Sequence, residues 1–132
     1  MNISKFTQKS VQAVQDLEKI AYEYGNQEIE EEHLLYALLT QEDSLILKLI
    51  EKMEIQKEYF IDTVKRALDA RVKVSGGELR FGQYLNKALV SAEDEAKAMG
   101  DEYVSVEHLF LSMLKNPSPS MKKLFNEDRK ST

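Results

Sequence analysis

The sequence contains no cysteine and no tryptophan, only two prolines and only five glycines. Without cysteine it can build neither a disulfide framework nor a thiolate metal site. The first proline is Pro117, so long helices are permitted over most of the chain. Basic residues form no cluster, and the formal net charge of the 132 residues is −5. A nucleic-acid surface needs concentrated Lys and Arg to neutralise phosphates, so nucleic acid is not an expected partner. No apolar run approaches the roughly 20 residues that span a bilayer, so no membrane partner is expected. The start, Met1 to Lys5, lacks the apolar core of a signal peptide. No G-x-x-x-x-G-K-[ST] phosphate cradle occurs, so this chain alone is not expected to hydrolyse nucleotide. A hydrophobic fraction of 42% is enough to build a core. The expectation is one soluble domain over residues 1–132, located in the cytoplasm.

What the sequence does contain is a duplication. Shifted by 75 positions, Gly25 to Leu35 falls on Gly100 to Phe110, and the chain's only two histidines, His33 and His108, coincide. Phe6, Gln8, Ala13, Glu18, Ala21 and Leu39 likewise fall on identical residues, giving 10 identities in the 34 positions from 6 to 39 without a gap. A repeat of this length is a structural unit built twice. Repeat one covers about 4–70, a linker about 71–79, and repeat two about 80–126.

Periodicity places the elements. Apolar residues at Val11, Val14, Leu17, Ile20 and Ala21 give a helix from about Thr7 to Tyr24, ended by Gly25. A second helix spans about Glu31 to Leu39 and is apolar on most sides. A third follows an Asp43-Ser44 cap and ends near Met53, and a fourth runs from about Lys57 to Ala70. Val72 to Val74 reads as extended and Ser75-Gly76-Gly77 as a flexible turn. Repeat two then gives a helix from about Gly82 to Met99, one from Val106 to Lys115 capped by Ser105, and a short last helix over Met121 to Asn126. The tail from Glu127 to Thr132 is expected to fray. No convincing strand is present. The fold class is therefore all-α, a pseudo-twofold pair of helical half-bundles. Repeat two has no counterpart of the fourth helix, so the chain reads as cut soon after its third. Each unit is too small to bury its apolar faces alone, and the seam between the two is a natural groove for a peptide.

The duplicated Glu32-His33 and Glu107-His108 pairs are the first candidates for chemistry. Glu30 and His33 have the Glu-x-x-His spacing of helical carboxylate metal sites, but the equivalent positions are Ser105 and His108. The motif occurs once, so no metal site is assigned. No nucleophile accompanies the histidines, so no catalytic residue is assigned either. The structural reading is that Glu32 and Glu107 face the positive end of a helix dipole and each histidine bonds the connecting loop. A carboxylate at the edge of a groove could also bind a cationic group on a peptide. The acidic run Glu28, Glu30, Glu31, Glu32 reads as a solvated face, with a docking patch for a basic partner as the alternative.

Phe6-Thr7, Asn26 to Ile29 followed by Glu32 to Leu35, and Asp101 to Leu109 resemble the double N-terminal motif of the Clp/Hsp100 AAA+ unfoldases. The resemblance covers almost the whole chain. Val72 to Gly77 and Gln83-Tyr84-Leu85 are in the style of the ClpB branch, the disaggregases. It implies a non-catalytic head tethered to an ATP-driven hexameric motor, with ATP and Mg in the motor modules and no cofactor in this domain. Such a head captures exposed segments of unfolded or aggregated polypeptide. The alternative is a head of the degradative ClpC/ClpA type that docks an adaptor protein. In ClpB-like heads, substrate-linked positions correspond to Thr7, Asp101 and Glu107, and groove positions to Ala13, Leu89 and His108. In the ClpC branch the carboxylates matching Glu32 and Glu107 grip phosphoarginine.

Overall fold

The computed structural model describes residues 3–130, with side chains described through Asn126. A 3-10 turn at Ile3–Lys5 leads into α1 (Gln8–Tyr24), β1 (Glu28–Ile29), α2 (Glu31–Leu39), α3 (Leu45–Lys52) and α4 (Lys57–Asp69). Then follow β2 (Arg80–Phe81), α5 (Gln83–Ala98), α6 (Val106–Lys115) and α7 (Pro119–Lys130). The expected all-α architecture is borne out. The last helix is longer than its apolar pattern indicates. Pro119 opens it, where a missing N–H costs nothing, and Ser118 caps it by accepting the Met121 N–H. Its backbone continues through residues 127 to 130, where fraying was expected. Ser131 and Thr132, the rest of that tail, lie outside the described residues.

The half-bundles match in detail. α1 packs on α2, and α5 packs on α6. α1 and α5 end at Gly25 and Gly100, whose φ angles of 70° and 74° are left-handed. Asn26 N–H then bonds the Ala21 carbonyl and Asp101 N–H the Ala96 carbonyl, both at 2.8 Å. These are the same helix-terminating bonds, 75 residues apart.

Two short strands form where none was expected, and they join the repeats. β1 pairs in parallel with β2, with Ile29 opposite Phe81, while Phe6 makes an isolated parallel bridge to Val104. Gly82 N–H donates to the Ile29 carbonyl at 2.8 Å, and Thr7 N–H to the Val104 carbonyl at 3.0 Å. Phe6 and Thr7 are the repeat mates of Phe81 and Gly82, and Ile29 is the mate of Val104. Each repeat therefore lends its leading segment to the loop of the other. Helices are exchanged in the same sense, with α3 packing on α6 and α7 on α2. Strands this short leave no alternation to read in the sequence. The exchange merges the two half-bundles into one core containing Leu17, Leu34, Leu38, Leu85, Leu89 and Leu109.

The helix caps show how one repeat compensates for the other. Thr7 caps α1, its hydroxyl accepting the Ser10 N–H at 3.3 Å. Its mate Gly82 has no side chain to cap α5. The Glu30 carboxylate takes the place instead, accepting the Leu85 N–H at 3.3 Å. A Cβ on Gly82 would collide with that carboxylate. Gly82→Ala is therefore expected to expel Glu30 and destabilise the domain by about 1–3 kcal/mol. Combining Gly82→Ser with Glu30→Ala lets position 82 cap its own helix as Thr7 does. In a double-mutant cycle by urea denaturation, that pair should cost less than the sum of its single substitutions.

Candidate functional site

α2 begins with four consecutive side chains that point in four directions. Glu30 reaches α5. Glu31 accepts the Ser118 N–H at 2.7 Å, at the start of α7. Glu32 pairs with the linker residue Arg71 at 2.8 Å. His33 accepts the Glu30 N–H at Nδ1 (2.9 Å), which leaves Nε2 to donate to Asn26 Oδ1 at 3.0 Å. All four residues are buried, with Glu31 and His33 fully so. The acidic run is therefore not the solvated face expected, and Glu30 to Glu32 offer no exposed patch to a basic partner. Only Glu28 keeps substantial exposure. The run is buried because each of these three carboxylates meets a donor from another segment, as burial of charge requires.

Repeat two carries the same frame with different electrostatics. His108 accepts the Ser105 N–H at Nδ1 (2.9 Å), and its Nε2 meets Asp101 Oδ2 at 2.9 Å. Both histidines thus occupy the third position of their helix, where Glu or Gln usually closes a capping box. In both, the two ring nitrogens are already engaged by the protein. Val106, however, stands where repeat one has Glu31, and Ser105 where it has Glu30. Glu107 is exposed and has no ion-pair partner among the described residues, whereas its mate Glu32 is buried against Arg71.

Thr7, Asp101, Glu107 and His108 fall on adjoining segments. The Thr7 N–H is bonded to Val104, which lies between Asp101 and Glu107 in sequence. Thr7 is half-buried, Asp101 and Glu107 are exposed, and His108 is buried beneath them. Exposed Tyr103 sits on the same loop. Ala13 and Leu89 lie instead in the core, 0% and 1% exposed, and present no surface in this structure. Glu32 belongs to the other copy of the signature, on the wall of a separate cleft. Among the described residues, no group of three His, Asp or Glu side chains is arranged to hold a metal.

That cleft, of about 670 Å³, lies between α4, α7, the Asn26–Glu28 loop and the linker. Arg71 spans its floor, bonded to Glu32 and 3.5 Å from Glu28. Arg71 carries no signal in the sequence, and Glu31 stands there only as a member of the acidic run. Glu31 left one signal, its alignment with Val106, which marks the position as interior.

The family model for the Clp repeat N-terminal domain matches residues 5–127. The chain belongs to the Clp N-terminal repeat family. Among relatives, the chaperone protein ClpB of Nitratidesulfovibrio vulgaris is 40% identical over 92% of this chain. The match covers 15% of that ClpB, so the chain corresponds to a small part of its length. Among solved structures, the Hsp104 N-terminal domain from Candida albicans superposes with a TM-score of 0.81 at 22% identity, covering 94% of this chain and 81% of that one. A complex of the ClpV N-domain with a VipB peptide gives 0.73 at 19% identity, covering 96% and 80%. The fold is thus shared with the N-terminal domains of Hsp104 and ClpV. No helix among this chain's described residues is long and apolar enough to cross a membrane.

Burial makes the first turn of α2 sensitive to pH. It pushes the Glu31 carboxyl from its ordinary 4.5 up to about 7, against the opposing Ser118 N–H. Between those values the folded domain holds a proton that the unfolded chain has released, so this group's contribution makes stability fall as pH rises. Burial holds His33 neutral down to about 4, from an ordinary 6.5. Its contribution has the opposite sign and is lost as pH falls through that range. Glu31→Gln removes the first effect only. Urea titrations at pH 5 and pH 8 should show the variant gaining on the parent by on the order of 2 kcal/mol at the higher pH.

Proposed function

We propose that this domain is the substrate-capturing head of a ClpB-type disaggregase, binding exposed segments of unfolded or aggregated polypeptide. It is non-catalytic and cofactor-free in this reading. ATP and Mg act in motor modules outside this chain, and those modules form the hexamer, in the cytoplasm. The kinship with ClpB supports the branch. The observation that carries the reading is the contrast between the two copies of the signature. Repeat one pairs its Glu32 internally with Arg71. Repeat two leaves Glu107 and Asp101 facing solvent beside Tyr103 and Thr7, with no cation paired to Glu107 among the described residues.

An exposed, unpaired carboxylate on a segment that also exposes an aromatic ring suits weak capture of chains that mix apolar and cationic residues. Weak binding fits the role, because a motor must be able to take the segment away. Adaptor docking, as in the degradative Clp ATPases, is the second reading. A solved complex of a ClpV N-domain of this fold with a VipB peptide supports peptide binding, which both readings share. Ala13, Leu89 and His108 could serve as groove residues only if the helices part, since all three are buried.

Glu107→Lys tests the assignment with little risk to folding, because the side chain is exposed. Binding of a permanently unfolded protein, followed by fluorescence anisotropy, should weaken roughly threefold to tenfold and lose most of its salt dependence. Unchanged affinity and unchanged salt dependence would remove Glu107 from the capture surface. Tight binding of one folded adaptor, with none of unfolded chains, would favour the second reading.

A further inference from the structure

We propose that the cleft between α4 and α7 is a second peptide site, and that it takes a short segment carrying an acidic side chain among apolar ones. Four cations line it, Arg66, Arg71, Arg80 and Lys123, against two carboxylates, Glu28 and Glu32. Those two carboxylates are already matched. Arg71 bonds Glu32 at 2.8 Å and lies 3.5 Å from Glu28, and Arg80 lies 3.7 Å from Glu28. Arg66, on α4, and Lys123, on α7, make no ion pair with a carboxylate among the described residues. Arg66 donates only to the Thr63 hydroxyl, at 3.1 Å, and lies over the Tyr59 ring. The cleft is thus a net cationic pocket on a chain of net charge −5. An acidic segment is the complementary occupant, and a basic one is repelled.

Shape and apolar surface agree with a peptide. A volume of about 670 Å³ lies well inside the range of sites that enclose a small ligand or a few residues. Val72 and Val74 stand at its rim, 81% and 41% exposed, and Leu124 lies in its wall. Such apolar side chains flanking unpaired cations favour an acidic residue set between aliphatic ones. The site also explains a divergence between the repeats. The copy of the signature at Glu107 is open and acidic, whereas the copy at Glu32 is enclosed by cations from α4, the linker, β2 and α7. The two ends of the pseudo-twofold thereby select segments of opposite charge. This inference rests on the capture reading only in taking polypeptide as the ligand.

The test uses fluorescent peptides of alternating Asp and Val, with amidated C-termini, titrated against the domain by anisotropy. Asn-Val and Lys-Val peptides are the comparisons. The Asp peptide should bind roughly fivefold to twentyfold more tightly than the Asn peptide, and the difference should shrink with salt. Arg66→Ala and Lys123→Ala alter exposed side chains and should leave the domain folded, Arg66→Ala losing only its bond to Thr63 and its contact with Tyr59. Together they should abolish the preference, while Glu107→Lys should leave it intact. Equal affinities for the Asp and Asn peptides, binding of neither, or a preference that survives the double substitution would overturn the proposal. So would a preference that appears only when the C-terminus is a free carboxylate. Capture of unfolded protein without any Asp preference overturns this inference and leaves the capture reading standing. An Asp preference without capture of unfolded protein does the reverse.

Discussion

The first turn of α2 is the constraint on which the rest of the structure depends. Glu30, Glu31 and Glu32 are buried together, and three carboxylates side by side away from water are tolerated only when each finds a donor. The donors come from three separate segments, the start of α5, the start of α7 and the linker at Arg71. His33 adds the loop at Asn26. One helical turn thus fixes the position of everything packed around it. Such a cluster adds little net stability, because desolvation offsets attraction. Its effect is on arrangement. A chain that placed α5, α7 or Arg71 elsewhere would leave a buried carboxylate with no donor.

The repeat explains why a strong constraint sits at one end of a symmetric fold. Backbone pairing is exchanged in both directions, Phe6 with Val104 and Phe81 with Ile29. Side-chain pairing is not. Where repeat one buries Glu31, repeat two buries Val106, and where repeat one extends Glu30 across to α5, repeat two has Ser105 beside its own histidine. The polar connections concentrate in repeat one and the corresponding surface of repeat two is left free. A structural copy and an exposed copy of one signature thus follow from a few substitutions on a shared backbone.

Much of this was legible in the sequence. The helices from α1 to α6 end within a residue or two of where periodicity, Gly25, Gly100 and the Ser44 cap place them. The histidines stand at helix starts, bonded to the connecting loops, as their position indicated. What escaped was whatever depends on contacts between distant segments. The two strands are two residues each and hold register through exchange between repeats, which no local pattern encodes. Glu30 to Glu32 looked solvated because charge runs usually are, and their partners Leu85, Ser118 and Arg71 lie 39 to 87 residues away. Leu89 and Ala13 were expected at a groove through family resemblance. Their helical phase places them on the core face, 75 residues apart from Val14 and Ala88, which are buried as well.

Native-state hydrogen exchange at the Leu85 and Ser118 amides tests the central claim most directly. Both donate to carboxylates of the α2 turn, so both should exchange only when the domain unfolds globally, with the same free energy as the core of α2. Exchange of either amide through a much cheaper local opening, while α2 stays protected, would contradict the claim that this turn holds α5 and α7 in place.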